Sequence, residues 1–194
     1  MLTNNLLMES AHGYSSIGVD AALLSQRKIF MTEKVDDDSC RALIQQLIYF
    51  DSQNQDEEIV MYINSPGGFV SSGLAVYDTM RMLKSPIRTV CIGTAASMGA
   101  ILFLGADRRE MLPHSQIMIH DPSYGGGGYA GKKPHEIQKE VDELNKIREQ
   151  TCKIIAERTG HPIKEIYKKT AVDSYFGVQE AIDFGLATGA AENL

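Results

Sequence analysis

The sequence predicts an α/β domain, and three observations carry that reading. The run Glu58-Ile59-Val60-Met61-Tyr62-Ile63 has too many apolar residues to expose a face, which calls for a sheet covered on both sides. Strand, glycine turn and helix start recur twice, over residues 58–83 and again over 87–104. A long helical pattern then opens at Pro134 and stops at Gly160. With 194 residues, 43% of them hydrophobic and 23% charged, the chain suits one domain with a real core.

Composition also narrows the function classes. A net charge of -6 argues against a nucleic-acid surface. No segment approaches the run of about 18 apolar residues that a membrane span needs. Residues 1–10 lack the basic flank and apolar core of a secretory signal, so the expected compartment is cytoplasmic. Cys40, Cys91 and Cys152 are spread widely in apolar or helical contexts, with no C-x-x-C and no paired histidine spacing. They read as buried reduced thiols, and no metal is expected.

Residues 1–22 are polar and rich in small residues, with Gly13 and Gly18 and no sustained period, and read as an arm or loop outside the core. Leu23-Leu24 is an apolar hinge into a strand at Lys28-Ile29-Phe30-Met31. Asp36, Asp37 and Asp38 place negative charge at a helix N-terminus, and Leu43, Ile44, Leu47, Ile48 and Phe50 follow with helical spacing. The strand from Glu58 ends in Ser65-Pro66-Gly67-Gly68, where proline second and glycine third are what a type II turn requires. Ser71 or Ser72 then caps a helix carrying Leu74, Val76, Met80, Met82 and Leu83. Gly67 and Gly68 read either as a tight turn alone or as a source of exposed backbone donors. Neither G-x-G-x-x-G nor G-x-x-x-x-G-K is present, which argues against a nucleotide loop.

The next apolar run, 90–92, stops at small residues, and a helix-like run, 100–104, begins just after Ser97. Ser97 therefore sits at a strand-to-helix corner. It reads either as an N-cap or as a nucleophile whose developing oxyanion meets the free N–H groups of the helix start. The pattern is not G-x-S-x-G, because Ala95 stands where the first glycine belongs. Gln116-Ile117-Met118-Ile119 is a strand closed by His120 and followed by Asp121-Pro122. A histidine there is either a satisfied structural residue or a base. His12, His114, His135 and His161 lie in loop-like or helix-start contexts, so His120 is the best base candidate.

The glycine run within residues 123–131 is either a flexible linker or an extended edge against which a peptide backbone pairs. On the long helix, Ile137, Val141, Leu144, Ile147, Thr151, Ile154 and Ile155 form one stripe, with Asp142–Lys146 and Glu149–Lys153 as i,i+4 pairs. Its length predicts that it protrudes and meets a partner copy. A short helix begins at Pro162, and residues 171–176 lead into another from Gln179, stopped by Gly185. Asp173 follows two apolar residues and precedes Ser174-Tyr175-Phe176, as either a partly buried carboxylate or an ordinary turn residue.

Taken together, four segments in this order resemble the ClpP family, the proteolytic subunit of ATP-dependent Clp protease, from about Leu23 to the C-terminus. They are Ile63-Asn64-Ser65-Pro66-Gly67-Gly68, Ala95-Ala96-Ser97-Met98-Gly99-Ala100, Met118-Ile119-His120-Asp121-Pro122, and Asp173 followed by Glu180-Ala181-Ile182-Asp183-Phe184-Gly185-Leu186. The resemblance implies a crotonase-like superhelix of strand-strand-helix repeats over 23–194, with an axial arm over 1–22 and a protruding handle at about 123–159. It implies a serine endopeptidase that hydrolyses unfolded chains delivered by an AAA+ Clp unfoldase in protein quality control. Two stacked seven-membered rings would form the tetradecamer, and ATP would be used by the partner, so that this chain needs no cofactor. Carried over by position, Ser97 is the nucleophile, His120 the base and acid, and Asp173 its orienting carboxylate. Gly68 and Met98 would supply the oxyanion hole through their N–H groups, while Gly67, Ser123, Tyr124, Gly125 and Gly126 would flank the substrate strand.

The chain also departs from that family. Many members carry an Asp-Arg pair directly before the catalytic aspartate, where Ala171-Val172 stands here. The glycine segment is longer, and the arm has Tyr14-Ser15-Ser16-Ile17-Gly18 where charged and aromatic residues are common. These departures read as a divergent paralogue working in a mixed assembly. A purely structural ring subunit has no reason to keep a Ser-His-Asp set. An acyl-CoA enzyme of the same architecture would want a glutamate base in the glycine-turn helices, which is lacking.

Overall fold

The computed structural model describes residues 5–10, 13–124 and 130–194. The first elements lie where the sequence pattern indicates only an arm. Strands β1 (Asn5–Ser10) and β2 (Gly13–Gly18) pair antiparallel in a two-stranded sheet of their own, and α1 (Val19–Leu24) absorbs the Leu23-Leu24 hinge. Leu6, Leu7 and Tyr14 stay exposed on this hairpin, so no apolar alternation announces it.

β3 (Lys28–Met31) leads to α2 (Asp37–Gln53). Asp36 caps this helix by accepting from the N–H groups of Asp38 and Ser39, while Ser39 Oγ returns a bond to the Asp36 N–H. Cys40, Leu43, Leu47 and Phe50 face the core, whereas Ile48 stays exposed. β4 (Ile59–Ser65) is followed by α3 (Val70–Met82), whose N-cap is Phe69. Ser71 and Ser72 therefore do not cap it. The turn at Gly67 and Gly68 closes directly into the helix, and Ser72 Oγ donates instead to Asp37 at the start of α2.

β5 (Ile87–Ala96) runs four residues beyond its apolar stretch before α4 (Met98–Phe103) begins. β6 (Arg108–Met111) and β7 (Gln116–Ile119) precede the long helix α5 (Pro134–Thr159), which ends at Gly160 with φ 78. α6 (Ile163–Thr170), β8 (Ser174–Phe176), α7 (Val178–Asp183) and β9 (Gly189–Ala190) complete the described chain.

The main sheet has the order β3-β4-β5-β6-β9 with parallel pairing throughout. β5 serves two neighbours in succession. Arg88 to Cys91 pair with β6, and Thr94 to Ala96 pair with β7, so β7 reaches the sheet only at the far end of β5. One face of β4, carrying Ile59, Met61 and Ile63, enters the large core with residues of α2, α3, α4, α5 and α6. The other face explains why the strand is apolar on both sides in a different way. Val60, Tyr62 and Val90 form a separate small cluster with Ile92 and Ala191, containing no helical residue, while Phe30 stacks on Tyr62. Beside it, buried Arg88 pairs with Glu110 at 3.0 Å.

α5 protrudes as its length predicts. Thr151, Cys152 and Ile155 in its C-terminal half are buried, while Val141 further out is exposed. Glu149–Lys153 forms at 2.7 Å, but Lys146 pairs with Glu143 rather than with Asp142, whose carboxylate accepts from Gln138.

Candidate active site

Ser97 closes β5 and opens α4 with φ 55 and ψ -120, a conformation that costs a non-glycine residue about 1–3 kcal/mol. Although it stands at the N-cap position, its side chain makes no capping bond. The hydroxyl is turned instead toward His120, with Oγ 2.9 Å from Nε2. The two residues are neighbours because β5 and β7 are paired, and the Ser97 N–H donates to the Met118 carbonyl at 2.8 Å.

Asp173 arrives by the same logic. β8 runs antiparallel to β7 with Ile117 opposite Phe176, Met118 opposite Tyr175 and Ile119 opposite Ser174. One step further along that register sets His120 opposite Asp173, and Nδ1 lies 3.2 Å from Oδ1. Of the two readings of Asp173, the exposed turn residue fits the structure better than the partly buried carboxylate. The Asp173 side chain is 59% exposed, against 25% for His120. β8 is an edge strand that pairs only with β7 among the described residues, and Val172 beside Asp173 is itself exposed, so none of the described residues covers that side.

The glycine turn stands against the serine corner. The Val35 N–H bonds the Gly67 carbonyl and the Phe69 N–H bonds the Val35 carbonyl, a parallel bridge that leaves the Gly68 N–H turned to the opposite side. Gly67 has φ 88, and a Cβ placed on it would lie 2.7 Å from Ser97 Cβ and 2.9 Å from the Met98 nitrogen. Only glycine permits that approach. Gly68, at φ 156, is equally constrained, since a Cβ there would run into the Val35 carbonyl. The Met98 N–H belongs to the first turn of α4, where a helix has no internal acceptor to offer.

A pocket opens beside Ser97 and His120, walled by Val70, Met98, Ile101, Ile119, Thr151 and Ile155. The Thr151 hydroxyl donates to carbonyls of its own helix, at Ile147 and Arg148, so the wall is apolar in effect. Sequence reasoning missed the lining residues Val70, Ile101, Thr151 and Ile155. Each reads as ordinary helix core, and no local signal sets them apart. Ser123 and Tyr124 are exposed in the irregular segment after Pro122, whereas Gly125 and Gly126 lie outside the described residues.

The cysteines take no part. All three are free and buried, and burial pushes each thiol up, away from the thiolate needed for attack. Among the described residues no group of three or more His, Cys, Asp and Glu side chains is placed to hold a metal ion. No helix there is long and apolar enough to cross a membrane. Compared with known protein families, residues 11–193 match the Clp protease family.

Proposed function

The chain belongs to the Clp protease family, and we propose that it is the serine endopeptidase core of a compartmentalised protease, hydrolysing unfolded chains that an AAA+ unfoldase delivers. The observation that supports this most is the line from Ser97 Oγ to His120 Nε2 at 2.9 Å and from His120 Nδ1 to Asp173 Oδ1 at 3.2 Å.

In this reading the His120 Nδ1–H donates to Asp173, which leaves Nε2 free to accept the Ser97 proton. Ser97 Oγ attacks the peptide carbonyl, and the imidazolium is stabilised by Asp173 and then protonates the leaving amine. Water repeats the cycle on the acyl-enzyme. The N–H groups of Gly68 and Met98 receive the oxyanion, each being worth about 3 to 4 kcal/mol in the transition state. The strained backbone at Ser97 keeps the hydroxyl out of the capping role that its position would otherwise give it. The apolar pocket, with a free volume of about 20 Å³, has room for a water and would have to open to take a side chain next to the cleaved bond. Gly67, Ser123, Tyr124, Gly125 and Gly126 flank the substrate strand.

ATP is consumed by the unfoldase rather than by this chain. The protruding, partly apolar α5 supports assembly into stacked seven-membered rings, and Ala171-Val172 marks a divergent paralogue that works in mixed rings. The test is reaction with a fluorophosphonate, read by intact mass, alongside cleavage of a short unstructured peptide without ATP. Ser97 is expected to label and the Ser97→Ala protein to do neither, with turnover falling by about 10⁶. Equal peptide cleavage by Ser97→Ala would sink the proposal.

A further inference from the structure

Asp121, the residue that follows His120, is held from two helices at once. Its N–H donates to the Thr170 carbonyl at the end of α6, at 2.6 Å. Its Oδ2 lies 2.8 Å from Arg148 Nε on α5, an ion pair by distance in which the buried Nε–H is not aligned for a hydrogen bond. Arg148 is itself fixed, with its guanidinium 4.6 Å above the Tyr167 ring and Nη2 donating to the Tyr167 carbonyl at 3.2 Å. Thr170 in turn sets its hydroxyl 3.5 Å from Cys152 Sγ, one turn along α5 from Arg148.

This arrangement matters because of what lies on either side of it. Thr170 precedes Asp173 by three residues, and Asp121 is joined directly to His120. The segment that carries the imidazole and the segment that carries its carboxylate therefore meet at the Asp121–Thr170 bond. Arg148 ties that junction to α5, whose next turns supply Thr151 and Ile155 to the pocket wall. The β7–β8 ladder ends at Ile119 and Ser174, so beyond it the His120–Asp173 pairing has no backbone bond of its own to set its spacing. Asp121 Oδ1 is buried and accepts no hydrogen bond among the described residues, which leaves the Arg148 charge as its compensation.

We propose that Arg148 and Asp121 are positioning residues that hold His120 in line between Ser97 and Asp173. The inference rests on the peptidase reading above. Neither side chain touches the reacting atoms, and their effect is on the alignment of the imidazole. A misplacement of about 1 Å at such a site costs on the order of 100-fold in rate. Apolar recognition by Val70, Met98 and Ile101 is left intact, so the loss falls on kcat and not on KM.

The experiment compares the full-length wild-type protein with Arg148→Ala, Arg148→Lys and the double variant Arg148→Met with Asp121→Asn. It measures fluorophosphonate labelling rate, kcat and KM for a short peptide, and thermal melting. Arg148→Ala leaves a half-buried carboxylate uncompensated, so it is expected to melt lower as well as to label more slowly. The double variant removes both charges and is expected to regain most of the melting temperature. It still labels and turns over about 10- to 100-fold more slowly, with KM within about twofold. Lysine restores the charge but lacks the fork that spans Asp121 and the Tyr167 carbonyl together, so it falls between. Labelling that recovers fully with melting temperature in the double variant would make the pair merely structural and overturn the inference, as would wild-type rates in Arg148→Ala. A wild-type protein that fails to label defeats the peptidase reading itself, which separates the two failures.

Discussion

Replacing Asp173 with asparagine isolates the orienting contribution proposed for its carboxylate. Full charges on His120 and Asp173 at 3.2 Å attract by about 1.3 kcal/mol at the dielectric constant of water and by about 5 kcal/mol at an effective value of 20. These figures correspond to about 10-fold and to several thousand-fold in the rate of a step that creates the imidazolium. Since the Asp173 side chain is 59% exposed, screening moves the electrostatic part toward the smaller figure. A second effect acts independently of charge. An amide that donates to Nδ1 favours the tautomer in which Nε2 carries the proton and cannot accept one from Ser97, and in a buried triad this substitution costs about 10⁴ in kcat. For the exposed pair in this chain, the expected fall in kcat is about 10²- to 10³-fold. Stability should hardly change, because an exposed ion pair is worth at most about 1 kcal/mol. The assay is peptide turnover without ATP, with fluorophosphonate labelling and thermal melting on the same preparations. Turnover within about threefold of wild type would refute the orienting role. A fall to the level of Ser97→Ala would refute the screening argument instead, and would place Asp173 under a covering that the described residues do not supply.

The glycine turn and the acid limb of stability offer two further tests. Gly67→Ala places a methyl 2.7 Å from Ser97 Cβ at a backbone φ of 88. It should destabilise by about 1–3 kcal/mol and depress labelling of Ser97, whereas Gly189→Ala, which meets nothing within 4 Å, should do neither. Thermal melts and labelling rates of the two variants check this contrast. Asp51 accepts from the N–H groups of Ser85 and Lys84, and these bonds hold its carboxyl below the ordinary 3.8. A carboxylate depressed in the folded state stabilises the protein above its unfolded value and loses that contribution as the pH falls through the folded one. Denaturant midpoints taken from pH 5 downward should therefore decline less steeply for Asp51→Asn than for wild type. Identical slopes would remove Asp51 from the account.

Much of the architecture is legible because its signals are local. Pro134 and Gly160 bracket α5, since one residue lacks the N–H that a first turn leaves unused and the other accepts φ 78 at the stop. Asp36 marks the start of α2 by accepting from the N–H groups of Asp38 and Ser39, two and three residues on. The run from Ile59 to Ile63 announces β4, and Pro66 with Gly67 announces its turn. In each case the preference resides in a few consecutive residues. The motifs around Ser97, His120 and Asp173 are legible as well, through their likeness to a family.

Other features have no such signature. β1 and β2 carry exposed Leu6, Leu7 and Tyr14, so their pairing shows no alternation of buried and exposed residues. β9 is only two residues long, and β6 reads Arg108-Arg109-Glu110-Met111 with no apolar run to announce it. The exposure of Asp173, the pocket wall, the nearness of Gly67 to Ser97 and the Arg148–Asp121 junction all join residues far apart in the chain. They originate in strand pairing and helix packing. Pairing of β4 with β5 brings Gly67 to Ser97, and pairing of β5 with β7 and of β7 with β8 brings Ser97, His120 and Asp173 together. α5 and α6 meet the chain at Asp121. Consecutive residues encode dihedral preference and turn chemistry. The distances within the site depend on sheet register, which is set by hydrogen bonds and packing between strands that the chain brings together only on folding.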